Sequence, residues 1–250
     1  MKRRSYASRP ETLDTLFQGR LAIMQRRDGY RFSLDAVLLS HFVKLAGHEK
    51  IVDLGTGNGV IPLILASCNP SVLVTGLELQ DSMVERAERN VRLNRLEPRV
   101  RIIRGDVCRI EQLFPPRSFD LVVANPPYRR IASGRINPDR EKSLARHEIR
   151  GCLRDFIRAG FYLLPPGEKM DLVYPASRLS DLFNGMRAEG MEPKRLRIVH
   201  SYAESAATLL LVEGVKGAKS ELKIMPPLIV YAKGKEYSPE LKTILEGNSR

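Results

Sequence analysis

The sequence lacks any apolar run long enough to cross a bilayer and any cysteine spacing typical of a metal or redox site. Its 250 residues contain no stretch of about 18 apolar residues, which a transmembrane helix needs. The basic N-terminus, MKRRSYASRPETL, has no apolar segment behind its charges, so we expect no secretory signal. Cys68, Cys108 and Cys152 lie far apart in the chain. We therefore expect a cytoplasmic protein with reduced thiols, no membrane contact and no bound metal.

Basic charge is concentrated in two parts of the chain. The net charge is +12 at pH 7. Residues 51–128 hold 9 basic and 9 acidic side chains and are neutral, whereas residues 1–50 and 129–160 each carry a net charge of +5. Such clustering indicates a polyanionic partner, most simply nucleic acid. A basic surface that only keeps the protein soluble is the alternative.

Segments with the pattern of strands alternate with segments that have the spacing of helices. From residue 50 onward this alternation predicts an α/β fold, a doubly wound, mainly parallel, Rossmann-like sheet of seven strands. No helix separates the last two strands, so the last one is expected to run antiparallel. Residues 1–47 are predicted to form a small N-terminal cap, made of a hairpin that turns at Asp28-Gly29 and a helix. The sheet domain is predicted to span 48–235, and a polar tail 236–250.

The first strand-to-helix turn of the predicted sheet is rich in glycine. It reads VDLGTGNGV, with Asp53 before Gly55, Gly57 and Gly59, and with Thr56 and Asn58 between the glycines. Glycine lets the backbone turn sharply and lets a ligand approach the main chain. The spacing differs from the dinucleotide pattern G-x-G-x-x-G, and a carboxylate beside the turn would repel a pyrophosphate. The turn instead favours a ligand with a positively charged amino group and a sulfonium.

Acidic residues also follow the next two predicted strands. Glu78, followed by Leu79, ends the second strand at the place where an acidic residue can bind ribose hydroxyls. Asp106, followed by Val107, ends the third strand and suits an adenine amino group. The alternative interpretation is a surface glutamate for Glu78 and a helix cap for Asp106.

The fourth predicted strand ends in the stiff corner Asn125-Pro126-Pro127-Tyr128. The Asn125 side-chain oxygen and the Pro126 carbonyl can accept the two hydrogens of one planar amino group, and Tyr128 offers a flat face for a base to stack on. Acceptors that draw these hydrogens out of the ring plane favour a pyramidal nitrogen. That is the geometry of the transition state when a conjugated amine is methylated.

These motifs resemble a known family. VDLGTGNGVIPLILA, GLEL, GDV and NPPY, in this order, are similar to class I S-adenosylmethionine-dependent methyltransferases that methylate amino groups. The flanking segments GYRFSLDAVLLSHF, ARHE and RIVHSYAESAATLLLVEGVKG resemble the bacterial tRNA valine-1 adenine N6-methyltransferase-like family. The resemblance spans residues 15–232 and implies a class I methyltransferase fold. It also implies methyl transfer to the N6 amino group of an adenine beside the anticodon of one tRNA.

The resemblance implies roles for individual residues. Asp53, Gly55 and Gly57 would line the methionine part of the cofactor, Glu78 would bind its ribose, and Asp106 its adenine. The target adenine would lie against the NPPY corner. Phe32 and Asp35 resemble the family's segment that closes over the cofactor. The remaining residues expected at the cofactor are neighbours of these: Thr56, Asn58, Gly59, Leu79, Val107 and Asn125.

A long irregular stretch follows the NPPY corner. We expect its arginines Arg129, Arg130, Arg135 and Arg146 to contact RNA phosphates, with a solvated basic loop as the alternative. His147-Glu148 could act as a general base, but a helix cap or ion pair is the simpler interpretation.

Other functions fit the sequence less well. Protein glutamine N5-methyltransferases that act on release factors share the NPPY corner, but they usually carry a longer helical domain before the glycine turn. DNA adenine methylation would call for a target-recognition domain that is not visible. A non-enzymatic, cofactor-responsive RNA-binding protein would not need the NPPY corner, and a nicotinamide dehydrogenase would need different glycine spacing. We therefore expect structured RNA, most simply tRNA, as the partner. The sequence does not indicate an oligomeric state.

Overall fold

The computed structural model describes residues 11–27, 33–128 and 151–247. The strands, in chain order, are β1 (Glu11–Leu16), β2 (Leu21–Arg26), β3 (Lys50–Leu54), β4 (Leu73–Glu78), β5 (Val100–Arg104), β6 (Leu121–Ala124), β7 (Lys169–Pro175), β8 (Met191–His200), β9 (Ala207–Lys216), β10 (Lys223–Ile224), β11 (Leu228–Ile229), β12 (Tyr231–Lys233) and β13 (Glu236–Tyr237). The helices are α1 (Leu34–Phe42), α2 (Val60–Cys68), α3 (Asp81–Leu93), α4 (Leu153–Leu163), α5 (Leu179–Ala188) and α6 (Pro239–Leu245), with short 3-10 helices at Val107–Gln112 and Ala176–Arg178.

A nine-stranded sheet forms the centre of the fold, in the order β10-β8-β9-β7-β6-β3-β4-β5, with β11 also paired to β8. The seven strands predicted from the sequence are all present, and β10 and β11 extend the sheet beyond β8. Strands β3 to β7 run parallel. Strand β9 runs antiparallel to both β7 and β8, as predicted. The carboxyl ends of β3, β4 and β6 therefore meet at one edge of the sheet.

Helices cover both faces of this sheet. On one face, Leu39 of α1 packs in an apolar cluster with Val123 of β6. On the other face, Ile157 of α4 and Leu182 of α5 pack in a second cluster with Val122. Neighbouring side chains of one strand point to opposite faces, so β6 contributes to both clusters and is apolar throughout. Within the described ranges, no helix combines the length and the apolarity needed to cross a bilayer.

The N-terminal hairpin differs from the prediction. Its turn lies at residues 17–20, because Leu16 of β1 pairs with Leu21 of β2. Phe17 and Gln18 adopt positive φ angles of 54° and 56°, and Gly19 follows at 88°. The sequence predicts two short strands around Asp28-Gly29 within residues 16–33, and this prediction was wrong over residues 17–20, which form a turn and not extended chain. The predicted turn at Asp28-Gly29 lies outside the described residues.

Asn90 of α3 and Asn94, the residue that follows this helix, attach the hairpin to the sheet domain. Asn94 accepts a hydrogen bond from Ala22 N at 2.9 Å and donates one to Ala22 O at 2.7 Å. Asn90 does the same with Met24, at 2.7 and 3.0 Å. Asparagines four apart on a helix share one face, and strand residues two apart do so as well. The side-chain amides thus substitute for a neighbouring strand along the free edge of β2.

The predicted polar tail contains a packed helix. Leu241 and Ile244 of α6 are buried in the same apolar cluster as α1 and α2. Ser238 caps the helix by accepting a hydrogen bond from Leu241 N, and its hydroxyl donates to Ile229 O at 2.6 Å. The polar side chains of PELKTIL obscured the two apolar positions, three residues apart, that hold the helix. The domain boundaries at 47/48 and 235/236 remain predictions.

Candidate active site

The carboxyl ends of β3, β4 and β6 open onto a cavity of about 400 Å³. Most of the residues predicted for the site line it. They are Asp35, Gly55, Thr56, Gly57, Asn58, Glu78, Leu79, Val107, Asn125, Pro126, Pro127 and Tyr128. The structure therefore brings together three motifs separated by up to 70 residues of chain, as expected for the ligand-binding edge of an open α/β sheet.

The glycine turn forms the floor of the cavity. The amides of Gly55 and Thr56 both donate to Leu77 O, at 2.8 and 2.9 Å, which fixes the turn against β4. Gly55 has φ 76°, and a Cβ atom there would lie 3.3 Å from a ring carbon of Phe156. Gly59 does not line the cavity, since it packs against α3, where its Cβ would lie 3.2 Å from that of Ala87. The cavity stays open beside Gly55 and Gly57 because these two residues carry no side chain.

Glu78 connects the end of β4 to this turn. Its carboxylate accepts hydrogen bonds from the amides of Gly57 at 2.9 Å, Leu79 at 3.0 Å and Gln80 at 2.9 Å. Burial raises the pKa of Glu78, and these three amides oppose the rise. The carboxylate is thus held rigidly at the cavity wall, the place predicted for a ribose contact.

Asp53 lies beneath the turn, away from the cavity lining. Its side chain is fully buried, and neither carboxylate oxygen makes a hydrogen bond of good geometry to a described group. Burial raises the pKa of Asp53 to about 7, the Thr56 hydroxyl opposes the rise, and the charge of Glu78 adds to it. Its contact with the methionine part of a cofactor therefore remains a prediction.

Asp106 takes the position of a helix cap. Its carboxylate accepts a hydrogen bond from Cys108 N at 2.9 Å and begins the 3-10 helix at Val107. Gly105 and Val107 line the cavity on either side of it, while Asp106 itself does not. Its role toward adenine remains a prediction.

The NPPY corner is joined to α1 by a hydrogen-bonded group of three side chains. The Tyr128 hydroxyl lies 2.7 Å from Asn125 Oδ1 and 2.9 Å from Asp35 Oδ2. A hydroxyl carries one hydrogen, so it can donate to only one of these two acceptors at a time. Asp35, predicted as part of a segment over the cofactor, is therefore also a partner of the tyrosine that would contact the substrate.

Two residues of the β7 end support Tyr128 and were missed in the sequence. The ring of Tyr174 meets that of Tyr128 edge to face, with centroids 5.8 Å apart. Arg178 donates to Tyr128 O at 3.3 Å, and its guanidinium lies 5.1 Å from the centroid of the Tyr174 ring. β7 runs parallel to β6, so the aromatic residue near its carboxyl end was the available signal. Some of the predicted site residues lie outside the described residues. They are Phe32, Arg129, Arg130, Arg135, Arg146 and the pair His147-Glu148.

Comparison with solved structures shows the fold. A predicted O-methyltransferase from Agrobacterium tumefaciens superposes with a TM-score of 0.71 at 22% identity, over 86% of this chain and 97% of that one. TrmN from Thermus thermophilus superposes with a TM-score of 0.53 at 21% identity, over 72% of this chain and 48% of that one. The sheet is that of a Rossmann-like class I methyltransferase.

Comparison with other sequences shows the family. The profile of the Methyltransferase small domain matches residues 34–137. A tRNA1(Val) (adenine(37)-N6)-methyltransferase of Porphyromonas gingivalis is 31% identical over 225 residues, 86% of this chain and 87% of that protein. One of Tolumonas auensis is 29% identical over 220 residues, 87% of this chain and 89% of that protein. The cofactor of this fold and family is S-adenosylmethionine, and the glycine turn and Glu78 provide the open backbone and the carboxylate that it requires. The chain belongs to the family of tRNA1(Val) (adenine(37)-N6)-methyltransferases.

Proposed function

We propose that the enzyme transfers a methyl group from S-adenosylmethionine to the exocyclic N6 amino group of an adenine in RNA, most simply a tRNA, in the cytoplasm. The names of the P. gingivalis and T. auensis relatives support both the adenine and the tRNA. The concentration of basic side chains in residues 1–50 and 129–160 supports a polyanionic substrate.

The acceptor arrangement at Asn125 is the observation on which this proposal rests. Asn125 Oδ1 and Asp35 Oδ2 share the single hydrogen of the Tyr128 hydroxyl, at 2.7 and 2.9 Å. Among the described residues, the hydroxyl therefore serves as a donor to only one of the two acceptors at a time. An amino group that donates to Asn125 Oδ1 would leave the Tyr128 hydroxyl free to donate to Asp35, so that both acceptors are satisfied. A substrate with an N–H₂ group at this corner would thus supply the second donor without any movement of Tyr128.

The chain's own residues would position the reactants. When bound, S-adenosylmethionine supplies an electrophilic methyl group. The glycine turn and Glu78 would hold it in the cavity, beside the corner that holds the amino group. Asn125 and Pro126 would accept the two amino hydrogens and favour a pyramidal nitrogen. The protein would therefore accelerate methyl transfer by aligning the reactants and by binding the transition state more tightly than the substrate, without a strong base.

The target base would have to leave its helical stack. A paired adenine cannot present N6 to a cavity of this kind, so the enzyme would act on an unpaired or flipped base. Tyr128, held edge-on by Tyr174, would offer one ring face for stacking.

The test is transfer of radiolabelled methyl to three acceptors in parallel: total tRNA, duplex DNA and a release factor. We expect label in tRNA, at a rate that falls by at least 100-fold in Asn125→Ala while S-adenosylmethionine affinity stays within about threefold of wild type. Ser71→Ala is the matched control, since Ser71 is exposed in the α2–β4 loop and its backbone rather than its hydroxyl is bonded. Label on the release factor alone would replace the proposed substrate with a protein glutamine. Equal turnover by Asn125→Ala would refute the role of the corner.

A further inference from the structure

Three tyrosines form an exposed stack outside the cavity. Tyr231 lies between Tyr202 and Tyr237, and each neighbouring ring centroid is 5.4 Å away. The interplanar angles are 31° toward Tyr202 and 19° toward Tyr237. Tyr202 is 42% exposed and Tyr237 is 38% exposed. This set, Tyr202, Tyr231 and Tyr237, is referred to below as the tyrosine stack.

The protein holds the stack in place from several sides. The Tyr202 hydroxyl donates to Gly234 O at 2.7 Å, which links the segment after β8 to the β12–β13 turn. Tyr231 pairs with Tyr237 across that hairpin. Helix α6 follows directly and is anchored by buried Leu241. The rings are therefore ordered before any partner arrives, which lowers the entropic cost of binding to them.

The hairpin beside the stack carries uncompensated positive charge. Lys242 Nζ forms an ion pair with Glu236 at 2.7 Å, which neutralises the hairpin's own carboxylate. Lys233 and Lys235 are exposed, and no carboxylate of the described residues lies within ion-pair distance of either. Exposed rings flanked by free lysines match single-stranded nucleic acid, whose bases stack and whose phosphates are negative.

The stack lies at the same edge of the sheet as the active site. β8 and β7 are both antiparallel to β9, so β8 runs parallel to β7 and β6. Tyr202 follows the carboxyl end of β8, as Asn125 follows that of β6. Three strand spacings separate β6 from β8, so the stack lies at least about 15 Å from the NPPY corner, measured across the strands.

We infer that the tyrosine stack, with Lys233 and Lys235, is a second contact surface for the RNA substrate. It binds unpaired bases of the same RNA, near the methylated adenine, through the outer faces of Tyr202 and Tyr237. This inference rests on the proposed function, because a nucleic acid must occupy the cavity for the stack to reach the same molecule. The stack would raise affinity and fix which adenine enters the cavity, with no part in the chemical step.

The experiment measures RNA affinity and methyl transfer separately, with tRNA as the probe. Tyr237→Leu and Tyr202→Leu remove a ring while keeping an apolar side chain, and Tyr237→Phe keeps the ring. We expect about tenfold weaker tRNA binding for each leucine variant and wild-type binding for Tyr237→Phe. The KM for tRNA should rise in parallel, while kcat and S-adenosylmethionine affinity stay unchanged.

A lysine pair tests the same surface without altering its packing. Lys233→Gln combined with Lys235→Gln should lower the slope of log Kd against log salt by about 1.5. The matched control combines Lys44→Gln with Lys50→Gln, since these exposed lysines lie before and at the start of β3, at the opposite edge of the sheet. The control pair should leave the slope unchanged.

The outcomes separate this inference from the proposed function. Wild-type tRNA affinity in both leucine variants and in the lysine pair would overturn the inference, even if tRNA is methylated normally. A protein partner would then be the remaining candidate for the stack. Label incorporated only into protein would instead overturn the proposed function, whatever the variants do to RNA binding. Equal loss of affinity in the control lysine pair would show general electrostatics in place of a defined surface, which also contradicts the inference.

Discussion

Substitution of Asn90 should destabilise the protein and weaken cofactor binding together. The Asn90 side chain is fully buried and makes three hydrogen bonds to backbone groups. It accepts from Met24 N at 2.7 Å and donates to Met24 O and Asn58 O, each at 3.0 Å. Asn58 belongs to the glycine turn and lines the cavity. One side chain therefore joins the N-terminal hairpin to the cofactor site.

The magnitude follows from the groups left without partners. Asn90→Ala removes the partner of three backbone groups in a site closed to water, each costing about 1–3 kcal/mol. Some relaxation of the hairpin reduces the sum, so we expect a loss of about 3–5 kcal/mol in the free energy of unfolding. Asn94→Ala should cost only about 1 kcal/mol, because Asn94 is half-buried and water can replace its bonds to Ala22.

Urea unfolding, hydrogen exchange and calorimetry check this prediction. Both variants should speed amide exchange of the hairpin, at Met24 in Asn90→Ala and at Ala22 in Asn94→Ala. Only Asn90→Ala should lower S-adenosylmethionine affinity, by about tenfold or more, since only Asn90 contacts Asn58. A stability loss below about 1 kcal/mol in Asn90→Ala, or equal cofactor affinities in the two variants, would refute this reasoning.

Three further predictions concern the turn, the buried carboxylate and the basic segment. Gly55→Ala should weaken S-adenosylmethionine binding at least tenfold, as measured by calorimetry. Gly19 also has a positive φ angle, but the space around its Cβ position is open. Gly19→Ala should therefore cost about 1 kcal/mol of stability and leave that binding intact. Burial raises the pKa of Asp171 from 3.8 to about 8, so the folded protein keeps a proton that the unfolded chain loses, and the free energy of unfolding should fall as pH rises from 3.8 to about 8. Asp171→Asn should flatten that decline in urea titrations at several pH values, and an unchanged decline would contradict the assignment. Arg129→Ala combined with Arg130→Ala should weaken tRNA binding and reduce its salt slope by about 1.5, as fluorescence anisotropy at several salt concentrations would show.

The sheet and the cavity could be predicted because their signals are local. Strands β3, β4 and β6 each contain a short apolar run, and the residues at or just after the end of each strand lie at the carboxyl edge. Gly55, Glu78 and Asn125 could therefore be placed together without knowledge of the tertiary structure. The antiparallel last strand followed from the missing helix before it.

The features that were missed depend on contacts between distant residues. The turn at Phe17 and Gln18 uses side chains that rarely take positive φ, so propensity favoured a turn elsewhere. The hydrogen bond from Tyr128 to Asp35 joins residues 93 positions apart, and nothing near either residue indicates the pairing. The cap formed by Asp106 depends on the position of the Cys108 amide, and the expected contact of Asp106 with adenine stays a prediction beside it.

Identification of the methylated nucleoside tests the central claim most directly. Wild-type enzyme, tRNA and labelled S-adenosylmethionine would be incubated, and the purified tRNA digested to nucleosides and separated by chromatography with mass detection. The proposed function predicts that the label co-elutes with N6-methyladenosine and is absent when Asn125→Ala replaces the wild type. Label in a ring-methylated or ribose-methylated nucleoside would contradict it, because neither product requires two acceptors for one amino group.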